Sequence, residues 1–127
     1  MIAVVSTVAG AFSVDLESNE IDSWTGELAT DAEPILNLPR LVAAAATGAT
    51  VFAVVATKPP IVVSRDAGST WRESGRGLPP GRAIAVSAAD PDVAVYAARN
   101  RLYVTHDGGV FWTALALELP EILSVHI

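Results

Sequence analysis

The side chains that could do chemistry in this chain are few and widely spaced. The chain has no cysteine, so it offers neither a thiolate nucleophile nor a thiolate metal ligand. The two histidines, His106 and His126, do not belong to an HxH, HxxxH or Asp/His cluster. We therefore predict no metal, no cofactor and no catalytic residues. His126 is the histidine that we place on a strand facing a possible ligand.

Carboxylates and arginines are the other residue types that point to a reaction or a ligand. Glycoside hydrolysis needs two carboxylates about 5–10 Å apart across a cleft, and Asp90, Asp92 and Glu121 flank the apolar runs that would line one. Arg40 and Arg82 each open such a run and could present two guanidinium groups on one rim. Solvent-facing charge is the alternative for both, because each follows a proline-containing turn. The ligand-binding candidates are Arg40, Arg82, Asp90, Asp92, Ser124 and His126.

The charge distribution limits the kind of partner. The formal net charge is −6, which argues against nucleic acid or an anionic membrane. Residues 1–39 carry seven acids and no Lys or Arg, whereas residues 40–79 carry five basic and two acidic side chains; we interpret this as a solvated outer surface. The N-terminal apolar run lacks a positive residue and is interrupted by Ser6 and Thr7, so it predicts a strand and a cytoplasmic protein.

Two sequence markers repeat with one period. Leu-Pro occurs at 38–39, 78–79 and 119–120, spaced 40 and 41 residues apart. Tryptophan occurs at Trp24, Trp71 and Trp112, spaced 47 and 41 residues apart. Two markers with a shared period of this length indicate a repeat architecture.

Within each repeat, short apolar runs alternate with turn residues. The second repeat contains runs at 41–46, 51–56 and 61–63, and the third contains runs at 83–86, 93–98 and 102–104. Each set is followed by a polar turn, a tryptophan and a fourth short run. This pattern predicts an all-β fold of four-stranded antiparallel units.

The turn before each of the last two tryptophans follows one pattern, Ser/Thr-x-Asp-x-Gly-x-x-Trp. Carboxylate and hydroxyl oxygens can accept hydrogen bonds from turn N–H groups, glycine can take a positive φ, and tryptophan can fill the layer between sheets. The pattern resembles the Asp-box (BNR repeat) of sialidase-like and photosystem-assembly-factor-like β-propellers. Its positions here are Ser64, Asp66, Gly68, Trp71, Thr105, Asp107, Gly109 and Trp112.

The first repeat is degenerate and incomplete. Counting back from Trp24 puts Glu17, Asn19 and Ile21 at the Ser/Thr, Asp and Gly positions. The run at 2–5 matches a second strand, and the segment 121–127 supplies the missing first strand. We therefore predict a single domain, 1–127, of three propeller blades: blade one from 121–127 plus 1–39, blade two from 40–79 and blade three from 80–120.

The resemblance implies roles for these residues. In such propellers the first strand of each blade lines a central channel, ligands bind at the channel mouth, and the Asp-boxes lie on the rim. It therefore implies that the eight motif positions are structural. A sialidase would need an arginine cluster and a Tyr/Glu nucleophile pair, and no residue here matches that set position by position.

Two functions from different classes fit these observations. The first is a non-catalytic binding or assembly module that presents the channel mouth to a protein or glycan. The alternative is a glycan-binding lectin or a glycoside hydrolase of the sialidase or xyloglucanase type. Propellers close with about four to eight blades, so three blades per chain predict a six-bladed homodimer. We expect its C-terminal strand, within 122–127, to complete the partner's blade one, with Trp24 near the seam.

Overall fold

A computed structural model of the chain describes residues 1–27 and 33–127. In these ranges no helix is long and apolar enough to span a membrane. The described strands are β1 (Ile2–Thr7), β2 (Gly10–Asp15), β3 (Ile21–Ser23), β4 (Leu41–Thr47), β5 (Thr50–Val55), β6 (Ile61–Ser64), β7 (Arg72–Ser74), β8 (Ala83–Val86), β9 (Ala94–Ala98), β10 (Arg101–Thr105), β11 (Thr113–Ala114) and β12 (Ile122–His126).

The strands form three four-stranded antiparallel sheets, which we call blades. Blade two has the order β4-β5-β6-β7, blade three has the order β8-β9-β10-β11, and blade one has the order β12-β1-β2-β3. The predicted all-β fold of four-stranded blades is confirmed. Every residue of β5 and β9 is buried, because each is an interior strand of its sheet and carries mostly apolar side chains.

Blade one is completed within the chain itself. Strand β12 pairs with β1, with Val4 opposite His126 and Val5 opposite Val125. The structure pairs this strand within its own chain, so the predicted exchange with a second chain is not confirmed. The connection after blade three is short and hydrogen-bonded to that blade: the Ile122 N–H donates to the Arg99 carbonyl at 2.7 Å. It therefore delivers β12, and with it β1, beside the same chain's blade three.

Blade three lies between the other two, so the blades follow the order two, three, one. The seam between blades one and three is a cluster of buried aliphatic side chains that includes Val5, Val14, Leu102, Leu115 and Ile122. We call it the one–three seam. Its burial of apolar area is the main force that holds these two sheets together.

The seam between blades two and three is built differently, around aromatic rings. Trp112 makes edge contacts with Phe52 at a centroid distance of 6.3 Å and with Tyr96 at 6.2 Å. The Trp112 Nε1–H donates to the Oγ of Ser74 at 2.9 Å, and Ser74 is itself buried. We call this the two–three seam. Its packing includes directional bonds, so it specifies how the two sheets are set against each other.

Candidate functional site

The first strands of the three blades line one open cavity of about 470 Å³. Its walls are mostly small and branched apolar side chains, with four consecutive alanines in β4, Ala43–Ala46. Small side chains near the point where the blades converge let the three strands approach closely. The lining residues are Glu33, Ala43–Thr47, Arg82–Val86, Ala88 and Leu123–Ile127.

Three of the six ligand-binding candidates line this cavity. Arg82 lies at the start of β8, and Ser124 and His126 lie on β12. Arg40, Asp90 and Asp92 are not among its lining residues. Of the described acidic side chains only Glu33 lines the cavity, and sequence reasoning missed it because it follows no strand pattern.

The carboxylates of Asp90 and Asp92 already have partners in and beside the turn between β8 and β9. An oxygen of Asp90 accepts the Asp92 N–H at 3.0 Å, and the Asp92 carboxylate pairs with Arg65 of blade two at 2.5 Å. Glu121 is exposed, and its carbonyl accepts the Val8 N–H at 3.0 Å. Within the described ranges, therefore, no pair of acidic side chains lines the cavity in the arrangement that glycoside hydrolysis requires.

Four basic side chains share one end of the blades. The Arg40 carbonyl accepts the Ala56 N–H at 2.9 Å, which puts Arg40 beside the β5–β6 turn that carries Lys58. The Arg82 N–H donates to the Ala97 carbonyl at 3.0 Å, which puts Arg82 near the β9–β10 turn that carries Arg99. The Arg65–Asp92 ion pair joins blades two and three at their other end. The four basic residues therefore lie together at the end of the blades away from this pair.

We call Arg40, Lys58, Arg82 and Arg99 the basic face. All four side chains are exposed, and none forms an ion pair with another described residue. Arg40 and Arg99 adopt φ values of 59° and 55°, a conformation that favours glycine or asparagine over arginine. Both residues lie in turns, where the chain reverses direction, and neither lines the cavity.

The two motif loops lie at the other end of the blades, which we call the turn face. In the β6–β7 loop, Ser64 Oγ donates to Asp66 Oδ1 at 2.7 Å and accepts the Gly68 N–H at 2.8 Å. Asp66 accepts the Thr70 hydroxyl at 2.6 Å and the Thr70 N–H at 2.8 Å. The hydroxyl of Thr70, the Thr70 N–H and Ser64 together lower the pKa of Asp66 to about 2.

The β10–β11 loop repeats most of this arrangement. Thr105 Oγ1 donates to Asp107 Oδ1 at 2.8 Å and accepts the Gly109 N–H at 2.9 Å. Asp107 accepts the Phe111 N–H at 3.0 Å, and this bond is the first cause of the lowered pKa of Asp107. Trp71 and Trp112 are both half-buried beside their loops. None of the eight motif residues lines the cavity, and His106 is exposed.

The corresponding loop of blade one uses a different residue. Asp15 Oδ1 accepts the N–H groups of Ser18 at 3.1 Å and Glu17 at 2.9 Å, and these bonds lower the pKa of Asp15. Ile21 belongs to β3, and Asn19 takes the left-handed φ of 63°. The alignment that put Glu17, Asn19 and Ile21 at the motif positions is therefore wrong, because this loop is shorter than the other two and β3 begins before Trp24.

Comparison with known proteins identifies the fold. No protein-family model matches the chain, and no curated protein matches it. Among solved structures it is similar to YCF48 from Cyanidioschyzon merolae, with 19% identity and a TM-score of 0.50 over 91% of this chain and 33% of that one.

A structure of YCF48 bound to D1 peptide is similar with 21% identity and a TM-score of 0.53, over 93% of this chain and 37% of that one. The chain thus spans about a third of the length of these structures. Together with the three four-stranded sheets, the likeness shows that the chain has the architecture of β-propeller blades.

Proposed function

We propose that this chain is a non-enzymatic binding module that takes an acidic peptide segment of a protein partner at the mouth of its cavity. The observation that carries the proposal is an open, mostly apolar cavity of about 470 Å³ with Arg82 on its wall, at the end of the blades where Arg40, Lys58 and Arg99 are also exposed. Apolar walls with a few convergent polar groups are the usual composition of a binding pocket.

One further observation supports a peptide as the ligand. One of the similar structures is YCF48 bound to D1 peptide, so a propeller that shares this fold takes a peptide. Opposite charges steer a partner toward the site and fix its orientation more than they add affinity.

Peptide binding measured by fluorescence anisotropy tests the proposal. We expect a labelled peptide rich in glutamate and valine to bind more tightly than its lysine-for-glutamate counterpart. Arg82→Gln should weaken that binding severalfold, and His106→Gln on the turn face should leave it unchanged. Equal binding of the two peptides, or no effect of Arg82→Gln, would overturn the proposal.

A glycan is the competing ligand. A glycan array and a panel of chromogenic glycosides separate it from the peptide. A sugar that binds in an Arg82-dependent manner while no peptide binds would favour a lectin. Turnover that is lost on mutating Asp90, Asp92 or Glu121 would favour a hydrolase.

We also propose that two chains form one six-bladed ring, because propellers close with about four to eight blades. Ile2 lies on the face of blade one directed away from blade three, and it stays 49% exposed. Each chain completes its own blade one, so the proposal includes no exchange of strands. Light scattering should report a dimer, and a monomer or trimer would contradict it.

A further inference from the structure

The tip of the β10–β11 loop exposes two consecutive apolar side chains. Val110 is 60% exposed and Phe111 is 75% exposed. The equivalent positions of the β6–β7 loop, two and one residues before its tryptophan, are Ser69 and Thr70. Two loops built on one pattern therefore differ in the chemistry that they present to solvent.

The loop itself does not require apolar residues at these positions. Phe111 contributes only its main-chain N–H to Asp107, at 3.0 Å. Thr70 makes the same main-chain bond and adds a hydroxyl bond to Asp66 at 2.6 Å. A polar residue would thus serve the loop better than Phe111 does, so its internal structure does not account for the exposed pair.

The base of this loop is held firmly against blade two. The Arg72 guanidinium donates to the Gly108 carbonyl, and the Ser74 hydroxyl donates to the Gly109 carbonyl. The Gly108 N–H donates to the Asp92 carbonyl at 3.0 Å. Val110 and Phe111 are therefore carried on a fixed support, and a partner that contacts them would lose little loop entropy on binding.

A groove of about 240 Å³ runs beside Val110 at the outer edge of blade two. One wall is Gly109 and Val110; the other is the edge strand β7 with Gly75 and Arg76. Because β7 is the last strand of its sheet, its outer edge has no strand partner among the described residues. An unpaired edge of this kind can accept an extended chain as an added strand.

The charge beside the groove selects the occupant. Arg72 is the first residue of β7 and Arg76 follows the strand, and Glu73 makes only a long contact of 3.8 Å with Arg76 between two exposed side chains. Two guanidinium groups against one carboxylate leave a local positive charge on a chain whose formal net charge is −6. An acidic residue next to the bound strand therefore complements this edge, and a basic residue opposes it.

We infer that this edge is a second binding site, which takes an extended segment of a protein partner as a fifth strand on β7. An aliphatic or aromatic side chain of the segment packs on Val110 and Phe111, and an adjacent acidic side chain faces Arg72 and Arg76. The site lies on the circumference of the blades. It shares no lining residue with the cavity and goes beyond the proposed function.

A peptide array with a matched pair of variants tests this inference. The probes are short peptides of alternating valine and threonine with one central phenylalanine and either a neighbouring glutamate or a neighbouring lysine. The first variant, Val110→Ser with Phe111→Thr, carries the residues that blade two has at the equivalent positions. The control, Ser69→Val with Thr70→Phe, places the apolar pair on blade two instead.

We expect the glutamate peptides to bind the unmodified protein and the control. The Val110→Ser/Phe111→Thr variant should bind them at least roughly tenfold more weakly, as on loss of an aromatic hot spot. Its thermal unfolding temperature should match that of the parent, which excludes misfolding as the cause. Equal binding by parent and variant, or no binding of any glutamate peptide, would overturn the inference. Arg82→Gln should leave this binding intact, so the two sites can fail separately.

Discussion

The two seams of this molecule join similar blades by different means. The two–three seam contains Trp112 between Phe52 and Tyr96, and a buried hydrogen bond from Trp112 to Ser74. In the one–three seam the position equivalent to Ser74 is Leu115, since each of the two residues lies three positions after the tryptophan of its own blade. This seam is an aliphatic cluster. The tryptophan of blade one, Trp24, stays 37% exposed and donates to the Glu27 carbonyl.

The difference shows that one repeat can specify two kinds of contact. Directional bonds and ring geometry set the orientation of blade two against blade three. Blade one instead depends on the volume of its aliphatic side chains and on the pairing of β12 with β1. Mutations in the two seams should therefore differ in size and in kind.

The largest effect should come from Trp112→Ala. The change removes the ring that joins Phe52 to Tyr96, and truncation of a packed tryptophan costs about 3–5 kcal/mol. Trp24→Ala is the matched control and should cost less, about 1 kcal/mol, because that side chain is 37% exposed and is not part of the aliphatic cluster of the one–three seam. Urea unfolding measures both, and equal losses would show that the seams do not differ in this way.

Leu115→Ala should have the next largest effect. The side chain is buried in the one–three seam, and its truncation should lower the free energy of unfolding by about 2–4 kcal/mol. Denaturant unfolding monitors the loss. A change below about 1 kcal/mol would mean that the seam repacks and does not depend on aliphatic volume.

Ser74→Ala should cost about 1–3 kcal/mol, since the Trp112 Nε1–H and the Gly109 carbonyl both lose their partner. The control is Ser69→Ala, an exposed serine on the adjacent loop, which should be neutral within about 0.5 kcal/mol. If Ser74→Ala proves neutral, the directional part of the two–three seam contributes nothing to stability.

The smallest effect concerns the loops beside the seams and depends on pH. The pKa of Asp66 in the folded state is lowered from 3.8 to about 2. Its contribution to the free energy of unfolding is therefore present above pH 3.8 and is lost as the pH falls through about 2. Asp66→Asn should flatten the acid limb of the stability curve in this window. Asp107→Asn should flatten it less, because Phe111 offers no hydroxyl to Asp107. An identical acid limb in parent and Asp66→Asn would contradict this.

The forty-residue repeat predicted the four-stranded blades correctly, because strand length and turn chemistry are local properties of the chain. The order of the blades is not local: it depends on where the connection after blade three delivers β12, and sequence periodicity does not contain that position. The resemblance to propellers, in which first strands line the channel, pointed to Arg82, Ser124 and His126, and these three residues line the cavity. Glu33 lies outside any strand, so no periodic signal marked it.

The pairing of β1 with β12 joins the first and the last of the described strands and has a consequence for folding kinetics. Blades two and three are each built from consecutive hairpins, which close small loops and form fast. Blade one closes only when β12 reaches β1, and blades two and three separate these two strands along the chain. Until this long-range pairing forms, the apolar edge of β1 is open and can pair with another chain.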